Sequence, residues 1–184
     1  SIKSEQDLII NLRRQLEKLN NFAFTDNEWD RFFISTLANP NQSIVEKTVT
    51  IREDYIKNLT RDDGSIKNIY LMKKDNIHDN NLQVINQYAT EYGQRANRYD
   101  VTVLINGLPL VHIELKRRGV AIQEAFNQIN RYNRESFWAS SGLFEYVQIF
   151  IISNGTHTKY YSNTTRAQHV KDFTEGSVKV GKRT

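Results

Sequence analysis

Residues 98–119 read Arg-Tyr-Asp-Val-Thr-Val-Leu-Ile-Asn-Gly-Leu-Pro-Leu-Val-His-Ile-Glu-Leu-Lys-Arg-Arg-Gly. Two β-prone runs, 99–105 and 108–116, flank Asn106-Gly107, a dipeptide that turns readily because both residues tolerate positive φ. Side chains alternate between the two faces of a strand, so parity sorts the hairpin. Val101, Val103, Ile105, Val111, Ile113 and Leu115 are odd-numbered and apolar, and are expected on the core face. Asp100, Thr102, His112, Glu114 and Lys116 share the other face. For both strands to bury their odd residues, paired numbers must sum to an even value, which a two-residue loop does not give. The pattern therefore requires a three- or five-residue loop or one bulge, with Asp100 beside or diagonal to the Glu114 position. A one-residue slip would bury Glu114.

Outward from the hairpin, helical and strand periods alternate. Ser4-Glu5-Gln6-Asp7 reads as a capped helix start, and Leu8, Ile9, Leu12, Leu16 and Leu19 follow on one stripe of about four turns. Trp29, Phe32, Phe33 and Leu37 lie in a second helical stretch within 20–47, which Asn39-Pro40-Asn41 ends. Residues 48–80 read as a variable, partly irregular insertion: a β-prone run at 48–51, a turn at Asp62-Asp63-Gly64 and a strand-like 69–72. A strand is expected at 82–88 and a polar turn at 90–97. After the hairpin, Ile122, Ala125, Phe126, Ile129 and Phe137 mark a helix over 121–138. The apolar run 144–153 reads as a buried strand, and Asn154-Gly155 turns it into a last strand at 157–161. The order gives an α/β (α+β) fold: a central mixed β-sheet flanked by helices.

The whole chain fits one domain. Its 184 residues are 39% apolar and 11% aromatic, enough for a core of ordinary size. A formal charge of +4 and a pI near 9.2 lean toward a polyanionic partner. There is no cysteine, so disulfides and thiolate metal sites are excluded, as fits a reducing cytoplasm. No long apolar run or secretory leader suggests a membrane or export.

Two carboxylates and an ammonium on one rigid sheet face suit Mg²⁺, which takes few carboxylates and fills its shell with water and phosphate oxygens. Lys116, on the same side as Glu114, is placed to hold an attacking water and offset transition-state charge. A solvated polar face with weak ion pairs would look the same by spacing alone. Gln128 and Tyr132, four apart on the following helix with Arg131, read from the residues alone as a solvent-facing stripe. Glu5 in the first turn suits the helix dipole as well as it suits a metal.

Asp100, a hairpin and Glu114-Leu115-Lys116 resemble the PD-(D/E)xK nuclease motif, with Tyr99 where that motif has proline. Gln128-Ile129-Asn130-Arg131-Tyr132 resembles the QxxxY element of RecB-like nucleases. The wider wording, Arg98-Tyr99-Asp100-Val101-Thr102, Asn106-Gly107-Leu108-Pro109-Leu110, 113–119 and Ala125-Phe126-Asn127-Gln128, is similar to the N-terminal nuclease domain of type I restriction enzyme R subunits. The agreement is strongest over 82–166. The resemblance implies a restriction-endonuclease-like core and a Mg²⁺-dependent cut in double-stranded DNA. It makes Asp100 and Glu114 metal ligands, Lys116 the catalytic lysine, and Gln128, Tyr132 and Glu5 supporting residues. Arg98, Arg117, Arg118 and Arg131 would meet phosphates on either side of the scissile bond.

No Gly-x-x-x-x-Gly-Lys-Ser/Thr phosphate loop occurs, so ATP use would belong to motor domains outside this chain. Residues 1–184 are thus expected to be the nuclease domain at the N-terminus of a larger motor subunit, which assembles with methyltransferase and specificity subunits. Two rival readings are a same-fold DNA repair nuclease and a DNA-binding module inactive in isolation.

Overall fold

Three helices begin with the same device. Ser4, Thr25 and Ser43 each accept a backbone N–H three residues on, and Asp7, Glu28 and Glu46 return the bond to the cap residue's own N–H. They start α1 (Glu5–Asn20), α2 (Asp26–Phe32) and α3 (Ile44–Arg52). The computed structural model describes residues 2–90, 97–135 and 141–163, excepting the side chains of 87–90, 97–99 and 130–135. α1 ends at Asn21 in the left-handed region, and α2 runs into a π-helical turn, Phe33–Leu37. The run 48–51, expected as β, is helical in α3. The Ser43–Glu46 cap starts that helix, and its Lys47, Thr48, Thr50 and Ile51 are buried.

β1 (Ile56–Thr60) and β2 (Ile66–Tyr70) form a hairpin of their own around the turn expected at 62–64. It packs against α1 and α2, burying Leu59 and Ile69. The main sheet has the order β3 (Leu82–Thr90), β4 (Asn97–Ile105), β5 (Leu108–Leu115), β6 (Ile149–Ser153), β7 (Thr158–Ser162). All neighbours are antiparallel except β5 and β6, which are parallel. The crossover between them carries α4 (Ile122–Glu135), as a parallel pair requires a long connection. The expected mixed sheet with helices is therefore present. The run 144–153 is only partly strand: Leu143–Tyr146 forms a 3₁₀ turn before β6. Most of the polar turn expected at 90–97, and Phe137, lie outside the described residues. Among the described residues no helix is long and apolar enough to cross a membrane.

The hairpin satisfies both signals in its sequence. Asn106 (φ 51) and Gly107 (φ 86) form a two-residue turn pairing Ile105 with Leu108. A bulge between Val103 and Leu104 then shifts the register to Val103–Val111 and Val101–Ile113, as parity demands. The faces, however, are the reverse of expectation. The even residues are buried: Thr102 and Leu104 on β4, His112 and Glu114 on β5. Val101, Val103, Val111 and Ile113 are half-buried, and Leu115 is exposed. Apolar residues occupy both faces here, as in other central strands with a parallel neighbour, so the apolar odd set did not identify the core.

The even face is covered by α1, through Leu8, Leu12 and Leu16, and by α4, through Ala125 and Ile129. α1 comes so close to the hairpin that a Cβ on Gly107 would stand 2.6 Å from Leu12 Cα. Asn11 and Gln83 exchange side-chain hydrogen bonds of 2.9 and 3.0 Å between α1 and β3.

Candidate active site

β4 and β5 lie side by side at the centre of the sheet, so Asp100 and Glu114 are held by backbone pairing rather than by loops. The antiparallel register extended one step from Val101–Ile113 sets Asp100 beside Glu114. Asp100 Oδ2 accepts the backbone N–H of Leu115 at 2.8 Å, fixing one carboxylate against the strand that carries the other. Glu114 is fully buried. Its Oε1 accepts Lys116 Nζ at 3.0 Å, whereas its Oε2 accepts no hydrogen bond among the described residues. Lys116 is half-buried, and its backbone N–H reaches Ser153 O at 2.8 Å, which ties the start of the next loop to β6.

α4 closes over this pair. Gln128 Oε1 accepts Lys116 Nζ, so the ammonium bridges Glu114 and Gln128. The stripe carrying Gln128 therefore meets the sheet rather than solvent. Tyr132 follows one turn later on α4, and its side chain lies outside the described residues. α4 is seated through rings: Phe126 packs edge-on against Tyr161 at 5.7 Å, and Tyr161 stacks on Phe150 at 5.3 Å.

Glu5 Oε1 accepts the backbone N–H of Ser141 at 2.8 Å. The turn after Ser141 is itself anchored by Lys47, which is buried and bonds Glu145 Oε2 and Gly142 O. Neighbouring Tyr146 donates to Leu37 O at 3.1 Å, and burial followed by the charge of Glu145 pushes its phenol above the usual range. Sequence reasoning missed Lys47, because a lone lysine in a polar helix has no visible partner until residues 142–145 are brought alongside.

Among the described residues no three His, Asp or Glu side chains gather to hold a metal ion, so Glu5 does not complete a ligand triad with Asp100 and Glu114. Two carboxylates, one of them with a buried oxygen that accepts no bond from the described residues, still match an ion that draws its remaining ligands from water and phosphate. Arg117 and Arg118 are exposed on the loop after β5, next to Lys116. The side chains of Arg98 and Arg131 lie outside the described residues.

Comparison with known proteins identifies a family. The family described as type I restriction enzyme R protein N terminus matches residues 1–169. The EcoprrI type I restriction endonuclease subunit of Escherichia coli is 50% identical over 175 residues, covering 95% of this chain and 56% of that protein. The SsaAORF53P endonuclease subunit of Staphylococcus saprophyticus is 45% identical over 170 residues, 89% of this chain and 17% of that protein. A putative subunit from Methanocaldococcus jannaschii, MjaIXP, is 32% identical over 102 residues, 53% of this chain and 9% of that protein. The chain thus spans about half the length of the first relative and a sixth of the second.

Proposed function

The chain belongs to the family of type I restriction enzyme R protein N termini, and from that premise we propose that it is the Mg²⁺-dependent domain with which such a subunit cuts double-stranded DNA. The site is then of the PD-(D/E)xK type. The observation that carries the reading is the Lys116 ammonium held between the buried Glu114 carboxylate and Gln128, with Asp100 bound to the backbone beside them. A surface ion pair would have no need of a fully buried carboxylate, whose burial is costly unless its charge is used or compensated.

Asp100 and Glu114 would hold the ion, which supplies the positive charge that polarises a phosphodiester and stabilises its leaving oxygen. Asp100 is kept from rotating by Leu115 N–H, so its other oxygen would hold the ion without reorganisation. Lys116 neutralises Glu114 while the site is empty of DNA. When a phosphate enters, its ammonium is within reach of the attacking water and of the oxygens on which negative charge grows. Gln128 sets that ammonium's position, and Tyr132 lies on the same helical stripe. Arg117 and Arg118, with Arg98 and Arg131, would bind flanking phosphates without reading sequence. Methyltransferase and specificity subunits, and the ATP-driven motor of the longer polypeptide, belong to the same proposal, as does a cytoplasmic location.

The test has two parts. Calorimetry with Mn²⁺ on this chain should show binding that Glu114→Gln removes while circular dichroism stays unchanged. The full subunit with its partner subunits should cut DNA, and Glu114→Gln should stop it; an E114Q enzyme cutting at the normal rate would sink the assignment.

A further inference from the structure

His112 is fully buried, yet its function is not absorbed by the metal ligands or the lysine. It stands in a row of residues paired across the sheet, Ile85–Thr102–His112–Phe150–Tyr161, directly beside the row that holds Glu114. Thr102 Oγ1 is 3.3 Å from His112 Nδ1, and Phe150 meets the imidazole nearly edge-on, with centroids 6.4 Å apart. The other ring nitrogen, Nε2, is 3.7 Å from Glu114 Oε2, with both side chains at 0% exposure. Among the described residues no hydrogen bond falls on that oxygen, while its twin is held by Lys116.

We propose that His112 is a positioning residue for Glu114: an imidazole held by Thr102 at Nδ1 and aimed through Nε2–H at Oε2, which sets the carboxylate's rotation for the ion. The inference rests on the metal reading above. The tautomer follows from the chemistry of the two neighbours. A lone pair on Nε2 would face a buried anionic oxygen, two acceptors opposed in a medium that screens poorly. A proton on Nε2 removes that repulsion and leaves Nδ1 to accept the Thr102 hydroxyl, which can donate by rotation. At 3.7 Å the N–H and the carboxylate attract without closing a full hydrogen bond, so Oε2 is oriented while its lone pairs stay open to a cation. Lys116 on one oxygen and His112 facing the other constrain the carboxylate's turn from both sides. The same logic places carboxylates behind metal-bound imidazoles in other sites, here with the roles exchanged.

Three variants separate this role from packing. Glutamine can place an N–H where Nε2 stood, asparagine keeps only the Nδ1 end, and leucine keeps bulk without a donor. Long-range ¹H–¹⁵N correlation spectra of the metal-free protein should show His112 protonated on Nε2. The Glu114 carboxyl ¹³C resonance should move in His112→Leu and His112→Asn, and much less in His112→Gln. Mn²⁺ affinity by calorimetry should fall about 10- to 100-fold in the Asn and Leu variants and stay within about threefold in His112→Gln. Proton placement on Nδ1, or an unmoved Glu114 resonance in folded His112→Asn, would overturn the proposal. If the wild-type chain binds no Mn²⁺, the metal reading fails, and the spectra of the metal-free variants still decide the role of His112. If His112→Leu fails to fold, the Gln and Asn pair decides.

Discussion

Glu114 is fully buried beside Lys116, and most of its behaviour follows from that. Lys116→Met would remove the cation from Glu114 Oε1 and from Gln128 at once. The expected result is a loss of about 3 kcal/mol in stability, read from denaturant unfolding, because a buried carboxylate loses its partner. Cleavage by the full subunit should fall by at least about 100-fold. Glu114→Gln keeps the shape of the side chain and should cost less stability than Glu114→Ala, which opens a cavity beside Lys116 as well. The residue types of this site were legible in the sequence: Asp100, Glu114 and Lys116 stand at one strand pair and Gln128 reaches them. Their burial was not. A polar trio on one face of a strand reads as solvent-facing by pattern, and only the seating of α1 and α4 on that face shows otherwise. Glu5 was readable as a first-turn carboxylate or as a companion of the metal site, and its bond to Ser141, 136 residues away, is one that no local pattern could show.

At the scale of elements, the reversed sheet faces can be checked directly. Leu104, fully buried, should cost about 2–5 kcal/mol as Leu104→Ala. Val84 lies on the opposite face with 64% of its surface exposed, so Val84→Thr should change stability by less than about 0.5 kcal/mol. Equal costs would restore the face assignment drawn from parity. The bulge was legible because alternation is strict and a two-residue turn cannot satisfy it. Helix α3 was not, because its β-branched residues favour strands locally, and the cap at Ser43 and the seat of Lys47 beside Glu145 outweigh that preference. The hairpin turn gives a second contrast. Gly107→Ala combines positive φ with a collision against the Leu12 backbone and should cost at least about 2 kcal/mol. Gly64 has a similar φ with nothing within 4 Å, so Gly64→Ala should cost about 1 kcal/mol. Midpoints of urea unfolding would rank the two.

For the whole molecule, the order of helices and strands sufficed to read an α/β fold, whereas the separate β1–β2 hairpin rests on contacts with α1 and α2 that spacing does not encode. Acid should weaken the assembly through that region. Burial raises the Glu28 carboxyl, but the backbone N–H groups of Thr25 and Asp62 and the Arg61 guanidinium outweigh it and hold it below its ordinary value of 4.5. The contribution of Glu28 is therefore complete above that value and is lost as pH falls through the depressed one. Glu28→Gln should flatten the stability profile below pH 4.5, measured as unfolding midpoint against pH. The bond from Glu5 to Ser141 has a further consequence in time. The partner of Glu5 is made 136 residues after it, on the order of 7–30 s at ordinary rates of synthesis. Through that interval the helix that covers the site has no seat at its leading end. β6 and β7 follow later still, so a newborn chain holds its first helix and the β4–β5 hairpin before the face that carries Glu114 is sealed.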